Sequence, residues 1–208
     1  MSTLDWNKHW EVAGESREAR EFAVKTADMI SVFMQDRRID SIADYGCGPA
    51  TMLFALAERF PRTEFWGFDV AASAIEKNSE KASRLGLKHL HFEQDELPSP
   101  RKDRMYDLVT CFATLHYIRE IEGAVKNLLG IVNPKGYLIF NYPNILTRAA
   151  YRKDIRPHDI VMKKRFALVL AGENLLSLDR ISIVLGIRPR KFYSSAKANI
   201  YVLIRKNG

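Results

Sequence analysis

The sequence predicts an α/β fold: a doubly wound, mostly parallel, seven-stranded sheet closed by a C-terminal antiparallel hairpin. Three observations carry that expectation. The apolar run Ile42-Ala43-Asp44-Tyr45 stops abruptly in Gly46-Cys47-Gly48-Pro49-Ala50 and passes at once into a helical pattern, which reads as strand, tight turn, helix. Strand-like and helix-like runs then alternate up to about residue 142 with no break in composition, the signature of one parallel sheet covered on both faces. Two β-rich runs, Lys191-Phe192-Tyr193-Ser194 and Ile200-Tyr201-Val202-Leu203-Ile204, lie close enough to form a hairpin through a turn at Ser195 to Asn199.

The bulk properties narrow the class. A chain of 208 residues with 47% hydrophobic content can bury one sizeable core and is too short for two ordinary enzyme domains. Cys47 and Cys111 lie far apart, with no Cys-x-x-Cys spacing and no clustered histidines, so neither a disulfide framework nor a metal site is expected. A reducing, cytoplasmic setting fits that usage. The first thirty residues have no apolar signal core, and no apolar run approaches the length of a membrane span. Charge is uneven along the chain. Residues 145–208 carry 14 Lys+Arg against 4 Asp+Glu, whereas residues 1–144 carry 18 against 21. The basic portion suits an anionic metabolite, nucleic acid or an acidic partner, and equally a solvated basic face.

Element by element, Trp6 and Trp10 are four residues apart and share one face of a helix; they read as a staple onto the main domain or as a lid that excludes water. Phe22, Met29, Ile30 and Phe33 form an apolar stripe over Ser16 to Met34, so residues 1–37 read as a lid and packing helix ahead of a domain at 38–208. The glycine turn lets backbone approach a ligand closely and aims free helical N–H groups at it. Leu53 to Phe60 is the following helix, ended by Pro61. Glu64 to Asp69 reads as the second strand. It ends in a carboxylate twenty-one residues after Gly48, where an acidic side chain can accept from both hydroxyls of a ribose, with a helix cap as the alternative. Ala71 to Leu85 is a helix closed by Gly86.

His89 to Phe92 reads as the third strand, with both histidines on one face and structural. It runs into the acidic turn Gln94-Asp95-Glu96, where Asp95 can accept from an adenine amino group. Tyr106 to Phe112 is the fourth strand, and His116 lies just past its carboxyl end, where a histidine can serve as general base or orient a substrate. A helix from Glu120 to Val132, a turn at Asn133 to Gly136 and a strand from Tyr137 to Tyr142 follow. Residues 144–172, with Arg148, Arg152, Lys153, Arg156, Lys163, Lys164 and Arg165, read as a basic insertion over the acceptor side, and a helix from Glu173 to Gly186 precedes the hairpin.

The glycine loop Asp44 to Ala50, Asp69 at the second strand's end and the strand order closing in a hairpin together resemble the class I S-adenosylmethionine-dependent methyltransferases, over about residues 38 to 205. That resemblance implies a Rossmann-like sheet and S-adenosyl-L-methionine as cofactor. It places Asp44, Gly46, Cys47 and Gly48 by the methionine part, Asp69 and Val70 by the ribose, Asp95 and Glu96 by the adenine, and Cys111 and Phe112 along the fourth-strand side. Leu115-His116-Tyr117 is similar to a Leu-His-aromatic sequence of small-molecule members, which puts His116 near the acceptor. Trp6, Trp10, Tyr117, Tyr142, Arg148 and Arg152 become candidates for substrate or lid contacts. The loop departs from the family pattern in carrying Ala50 where a third glycine is usual, and Asn141-Tyr142-Pro143-Asn144 stands in the wrong place for the amino-methylating motif it superficially matches. The expected activity is methyl transfer to a small, anionic or amphiphilic metabolite by a monomer or homodimer. The alternatives are an RNA (tRNA) or protein methyltransferase docking through the basic surface, and a non-catalytic cofactor-binding partner subunit.

Overall fold

The structure is a computed structural model that describes residues 5–12, 15–196 and 199–207. Seven strands form one sheet in the order β3-β2-β1-β4-β5-β7-β6. They are β1 (Ser41–Tyr45), β2 (Glu64–Asp69), β3 (Leu90–Gln94), β4 (Tyr106–Cys111), β5 (Val132–Asn141), β6 (Arg190–Ala196) and β7 (Asn199–Arg205). β1 to β5 pair in parallel, and β7 runs antiparallel to both β5 and β6. The expected hairpin is present; the middle of its expected turn, residues 197–198, lies outside the described residues.

Successive side chains of a strand face opposite sides, and that alternation sorts the core into two layers. One layer packs α2 (Arg17–Gln35), α3 (Thr51–Arg59) and Ala82 of α4 (Ala72–Leu85) against Ile42, Phe65, Leu90, Leu108 and Ile139. The other packs α5 (Ile121–Gly130) and α9 (Leu178–Leu185) against Ala43, Tyr45, Phe68, Val109, Leu138 and Phe140. α2 starts on Ser16, whose hydroxyl accepts from Ala19 N. α4 ends at Gly86 in the left-handed conformation its sequence anticipates.

The insertion is helical: α6 (Ile145–Asp154), α7 (Ile160–Arg165) and α8 (Ala167–Ala171). α6 begins in a capping box formed by Asn144 and Thr147. At the other end of the chain, α1 (Trp6–Val12) leans on α4, with Asn7 accepting from Ser73 N and Lys77 Nζ donating to Trp10 O.

Three expectations need correction. β5 starts at Val132, not Tyr137: Val132 pairs with Tyr106, residues 133–136 bulge out opposite Asp107 with Lys135 at φ +66, and the ladder resumes at Tyr137, so the expected turn lies within the strand. α9 starts at Leu178, not Glu173: residues 172–174 form the turn that closes α8, with Glu173 N donating to Leu168 O, and Ser177 caps the later helix. The two histidines do not share a face. His89 precedes β3 and turns to Ala57 O and Phe65, whereas His91 stacks on Trp66 of the opposite layer.

Candidate functional site

β1 has β2 on one side and β4 on the other, so the crossovers reverse direction between β1 and β4, and a crevice opens at the carboxyl ends of these strands. The glycine loop, Asp44 and Asp69 meet there. After β1, Gly46 N and Cys47 N both donate to Phe68 O, at 2.7 and 3.0 Å, which bends the loop onto β2. Gly46 (φ +77) and Gly48 (φ +50) adopt left-handed backbone, and neither has room for a side chain. A Cβ at Gly46 would lie 2.1 Å from the Thr114 hydroxyl oxygen, and one at Gly48 would lie 2.9 Å from the Trp10 ring. Ala50 is also left-handed, at φ +55, the conformation that the usual third glycine would take freely. Its penalty of about 1–2 kcal/mol is partly offset by roughly 0.8 kcal/mol from burying its methyl group in the α2–α3 layer.

Asp69 sits at the end of β2, almost fully buried. Its two oxygens accept from Gly48 N and Ala71 N, both at 2.9 Å, so it locks the loop as well as facing the crevice. Burial raises its pKa, and the backbone donors counter that rise. Asp44, also buried, accepts from Thr110 Oγ at 2.7 Å; burial, with Asp69 nearby, pushes its pKa up to about 7. Among the described residues neither carboxylate pairs with a lysine or arginine. The crevice therefore holds two buried acids that lack a cation.

Asp95 is held by three protein donors: Tyr45 OH at 3.0 Å, with Arg101 N and Glu96 N at 2.9 Å. A carboxylate offers about four lone-pair positions, so Asp95 keeps one for a ligand. Val70 and Glu96 are exposed at the rim. Cys111 is fully buried, Cys47 nearly so, and Phe112 packs on Tyr201 with centroids 5.5 Å apart. Burial pushes both thiols up, so they line the site as small apolar groups.

Beyond β4 the chain makes one 3-10 turn, Leu115–Tyr117. Asn174 Nδ2 holds it, lying 3.2, 2.9 and 3.2 Å from the carbonyl oxygens of Leu115, His116 and Ile118. Asn141 Oδ1 accepts from Ala113 N at 2.7 Å. The Asn141 to Asn144 stretch is thus structural at both ends, holding this loop and capping α6. His116 is 8% exposed, its Nδ1 is buried with no partner, and desolvation lowers its pKa to about 4.

Aromatic rings surround this turn. Trp6 meets Tyr117 at 4.7 Å, Tyr117 stacks on Phe166 at 5.7 Å, Phe166 meets Tyr151 at 4.4 Å, and Tyr151 lies 6.1 Å from His116. Burial pushes the Tyr117 and Tyr151 hydroxyls up to about 12. Beside Tyr151 and Phe166 a groove of about 710 Å³ opens between α6 and α7, lined by Ile155, Ile160, Val161 and Met162 among others. Trp6 and Trp10 therefore touch the aromatic wall and the glycine loop respectively.

Three sequence candidates sit differently from expectation. Arg148 donates to Leu170 O and Ala171 O, and Arg152 to Leu170 O, so both guanidinium groups fasten α6 to the end of α8. Tyr142 is 2% exposed, inside the core against Phe140. The sequence marks Tyr151 and Phe166 as aromatics interleaved with the basic residues of the insertion, but it does not single out Thr110, Thr114 or Asn174, or the contact of Arg165 with His9. All gain their roles from neighbours distant in sequence, with no local spacing to mark them.

The chain resembles known proteins in sequence and in fold. A family model described as a methyltransferase domain matches residues 38–179. An uncharacterised methyltransferase of Schizosaccharomyces pombe is 24% identical over 77% of this chain and 60% of its own. The ubiquinone biosynthesis O-methyltransferase of Rickettsia felis is 28% identical over 53% and 43%. The trans-aconitate 2-methyltransferase of Pseudomonas aeruginosa is 30% identical over 54% and 39%. The chain spans about half the length of these curated relatives. Among solved structures, the plantazolicin methyltransferase in complex with a substrate analog and SAH superposes with a TM-score of 0.69 at 13% identity, covering 97% of this chain and 94% of its own. NodS of Bradyrhizobium japonicum, an N-methyltransferase in complex with S-adenosyl-L-homocysteine, gives 0.62 at 13% identity over 96% and 92%. By its fold and the family model that covers most of its length, the chain belongs to the class I, S-adenosylmethionine-dependent methyltransferase domain family.

Proposed function

We propose that the chain transfers a methyl group from S-adenosylmethionine to a small molecule held beneath α1 and the insertion helices. The observation that carries this reading is the pair of buried acids without a cation among the described residues, Asp44 and Asp69, beside a loop in which only glycine fits at positions 46 and 48. The donor is cationic at its sulfonium and amino groups, and it carries a ribose that needs an acceptor of the Asp69 kind. The residues present fit it. Gly46 to Gly48 would border its methionine part with Asp44 beside them, Asp69 and Val70 the ribose, Asp95 and Glu96 the adenine, and Cys111 and Phe112 the strand-four side. When bound, the donor supplies an already activated methyl group, so the protein must align and dehydrate rather than form a covalent intermediate.

His116 supplies the acceptor side. With its pKa lowered to about 4 it is neutral at physiological pH, and a ring nitrogen can accept the hydrogen bond of an acceptor hydroxyl and take its proton as the new C–O bond to the methyl group acidifies that hydroxyl. Trp6 and Trp10 cover this space from α1, and residues 1–37 serve as the lid and packing segment of the domain. Residues 144–172 shape the acceptor side through Tyr151 and Phe166, not through Arg148 and Arg152.

Part of the C-terminal basic set is tied into the fold, which leaves less of it for docked RNA and favours a small acceptor. Arg180 pairs with Glu122, Arg148 and Arg152 bind carbonyl groups, and Lys206 Nζ donates to Gly130 O and Val132 O. Two of the curated relatives are named for small-molecule methylation. Calorimetric titration with S-adenosylhomocysteine, with NAD in parallel, tests the donor half. Selective micromolar binding is expected, and binding of NAD alone would overturn the reading.

A further inference from the structure

We propose that Arg165 is the residue that selects the acceptor, gripping a carboxylate of an apolar, ring-bearing molecule through the Nε and Nη2 edge of its guanidinium. The inference deepens the methyltransferase reading above and rests on it.

Arg165 ends α7, next to Phe166 in the aromatic wall. Its Nε is buried and has no hydrogen-bond partner, and it forms no ion pair among the described residues. Its Nη2 contacts Nδ1 of His9 on α1 at 3.2 Å. Those two nitrogens form one side of the guanidinium plane, the edge that matches the two oxygens of a carboxylate. Here a single neutral imidazole nitrogen occupies that edge, and it satisfies only one of the two donors. A buried donor without a partner is costly, so the edge is poised to exchange His9 for an anion.

Its surroundings specify the rest of the ligand. Trp6, Tyr117, Phe166 and Tyr151 form a series of ring contacts that ends at His116, and from the Tyr151 and Phe166 end opens a groove with apolar walls at Ile155, Ile160, Val161 and Met162 and with Asp154, Arg156, His158 and Asp159 also along it. A flat or apolar body fits against those rings while its carboxylate meets Arg165. Because His9 lies on the same helix as Trp6 and Trp10, an acceptor that takes the edge also releases one of the contacts of α1 with the insertion. Arg165 is a positioning and specificity residue in this scheme; the proton transfer stays with His116.

The test is binding of 2-naphthoate and its neutral partner 2-naphthamide to the full chain saturated with S-adenosylhomocysteine, read by calorimetry and by quenching of tryptophan fluorescence. The carboxylate is expected to bind at least about tenfold more tightly than the amide, the ratio that a charge-assisted pair supplies. Arg165→Gln should remove that preference while leaving amide binding and S-adenosylhomocysteine binding unchanged. Arg165→Lys, which keeps the charge without the fork, should restore only part of it and guards against a folding defect in the first variant. Equal affinity for carboxylate and amide in the natural protein, or a preference that survives in both variants, would overturn the assignment. Failure of S-adenosylhomocysteine to bind the natural protein would instead overturn the methyltransferase reading, so the two failures are distinct.

Discussion

His116 owes its neutrality to burial alone: no charged group contributes to its lowered pKa, and the ring sits among other rings. A general base with a pKa of about 4 stays deprotonated through the neutral range, so the acid limb it imposes on kcat/KM should lie near pH 4 and not near 6.5. His116→Ala should lower kcat by about a hundredfold or more and leave S-adenosylhomocysteine affinity unchanged; unaltered turnover in a single-turnover assay would remove it from the mechanism. Asp69 should behave oppositely. Asp69→Ala strips the acceptor from Gly48 N and Ala71 N, which costs about 1–3 kcal/mol in stability and weakens the donor site at the same time. Asp69→Asn should recover part of the melting temperature without recovering ligand affinity. Both residues were legible in the sequence because the sheet places them: each follows directly from where a strand ends. Thr114 and Asn174 were not, since the contact of Thr114 with Gly46 and the hold of Asn174 on the His116 turn exist only once strands distant in sequence are adjacent.

At the scale of elements, Trp10 seats α1 on the glycine loop. Gly48→Ala meets two obstacles, a left-handed φ and a Cβ 2.9 Å from the Trp10 ring. Only the second depends on Trp10. The double variant with Trp10→Ala should therefore recover roughly 1 kcal/mol of the loss caused by Gly48→Ala, the interaction energy expected of residues in contact. The measurement is a double-mutant cycle on urea unfolding, and strict additivity would mean that α1 does not rest on this loop in solution. Element types were legible nearly throughout, because the apolar period distinguishes each helix from each strand. Boundaries failed where tertiary contacts override local signals. Pro134 and Gly136 look like a turn and do bulge out of the β4 ladder, yet β5 already begins before them at Val132, and the helix-compatible residues from Glu173 are held in the turn that closes α8 by the bond from Glu173 N to Leu168 O. Arg148 and Arg152 show the same limit on function, since their charge was legible and the carbonyl groups they serve were not.

Over the whole molecule, two buried titratable groups act on stability in opposite directions. Asp44 has a folded pKa of about 7 against an ordinary 3.8, so the native state takes up its proton first as pH falls. Its contribution is full below 3.8 and is lost as pH rises through 7, by linkage. His116, at about 4 against 6.5, does the reverse: its contribution is full above 6.5 and is lost as pH falls through 4. Each amounts to about 3–4 kcal/mol by the size of its shift, and the windows nearly coincide, so the two largely cancel between pH 4 and 6.5. Removing either partner should expose the other. Without bound ligand, His116→Asn should melt at progressively higher temperature from pH 6.5 down to pH 4.5 relative to the natural protein, whereas Asp44→Asn should melt at progressively lower temperature over the same range. Parallel melting curves for both variants and the natural protein would show that neither group is buried as the structure has it. S-adenosylhomocysteine should shift this balance if it binds as proposed, because an ammonium group placed beside Asp44 would favour the ionised acid and lower the pKa that burial has raised. The stabilisation by ligand should accordingly grow between pH 5 and pH 7.5 in the natural protein, and should be flat in Asp44→Asn over that range if Asp44 is the group that releases its proton on binding.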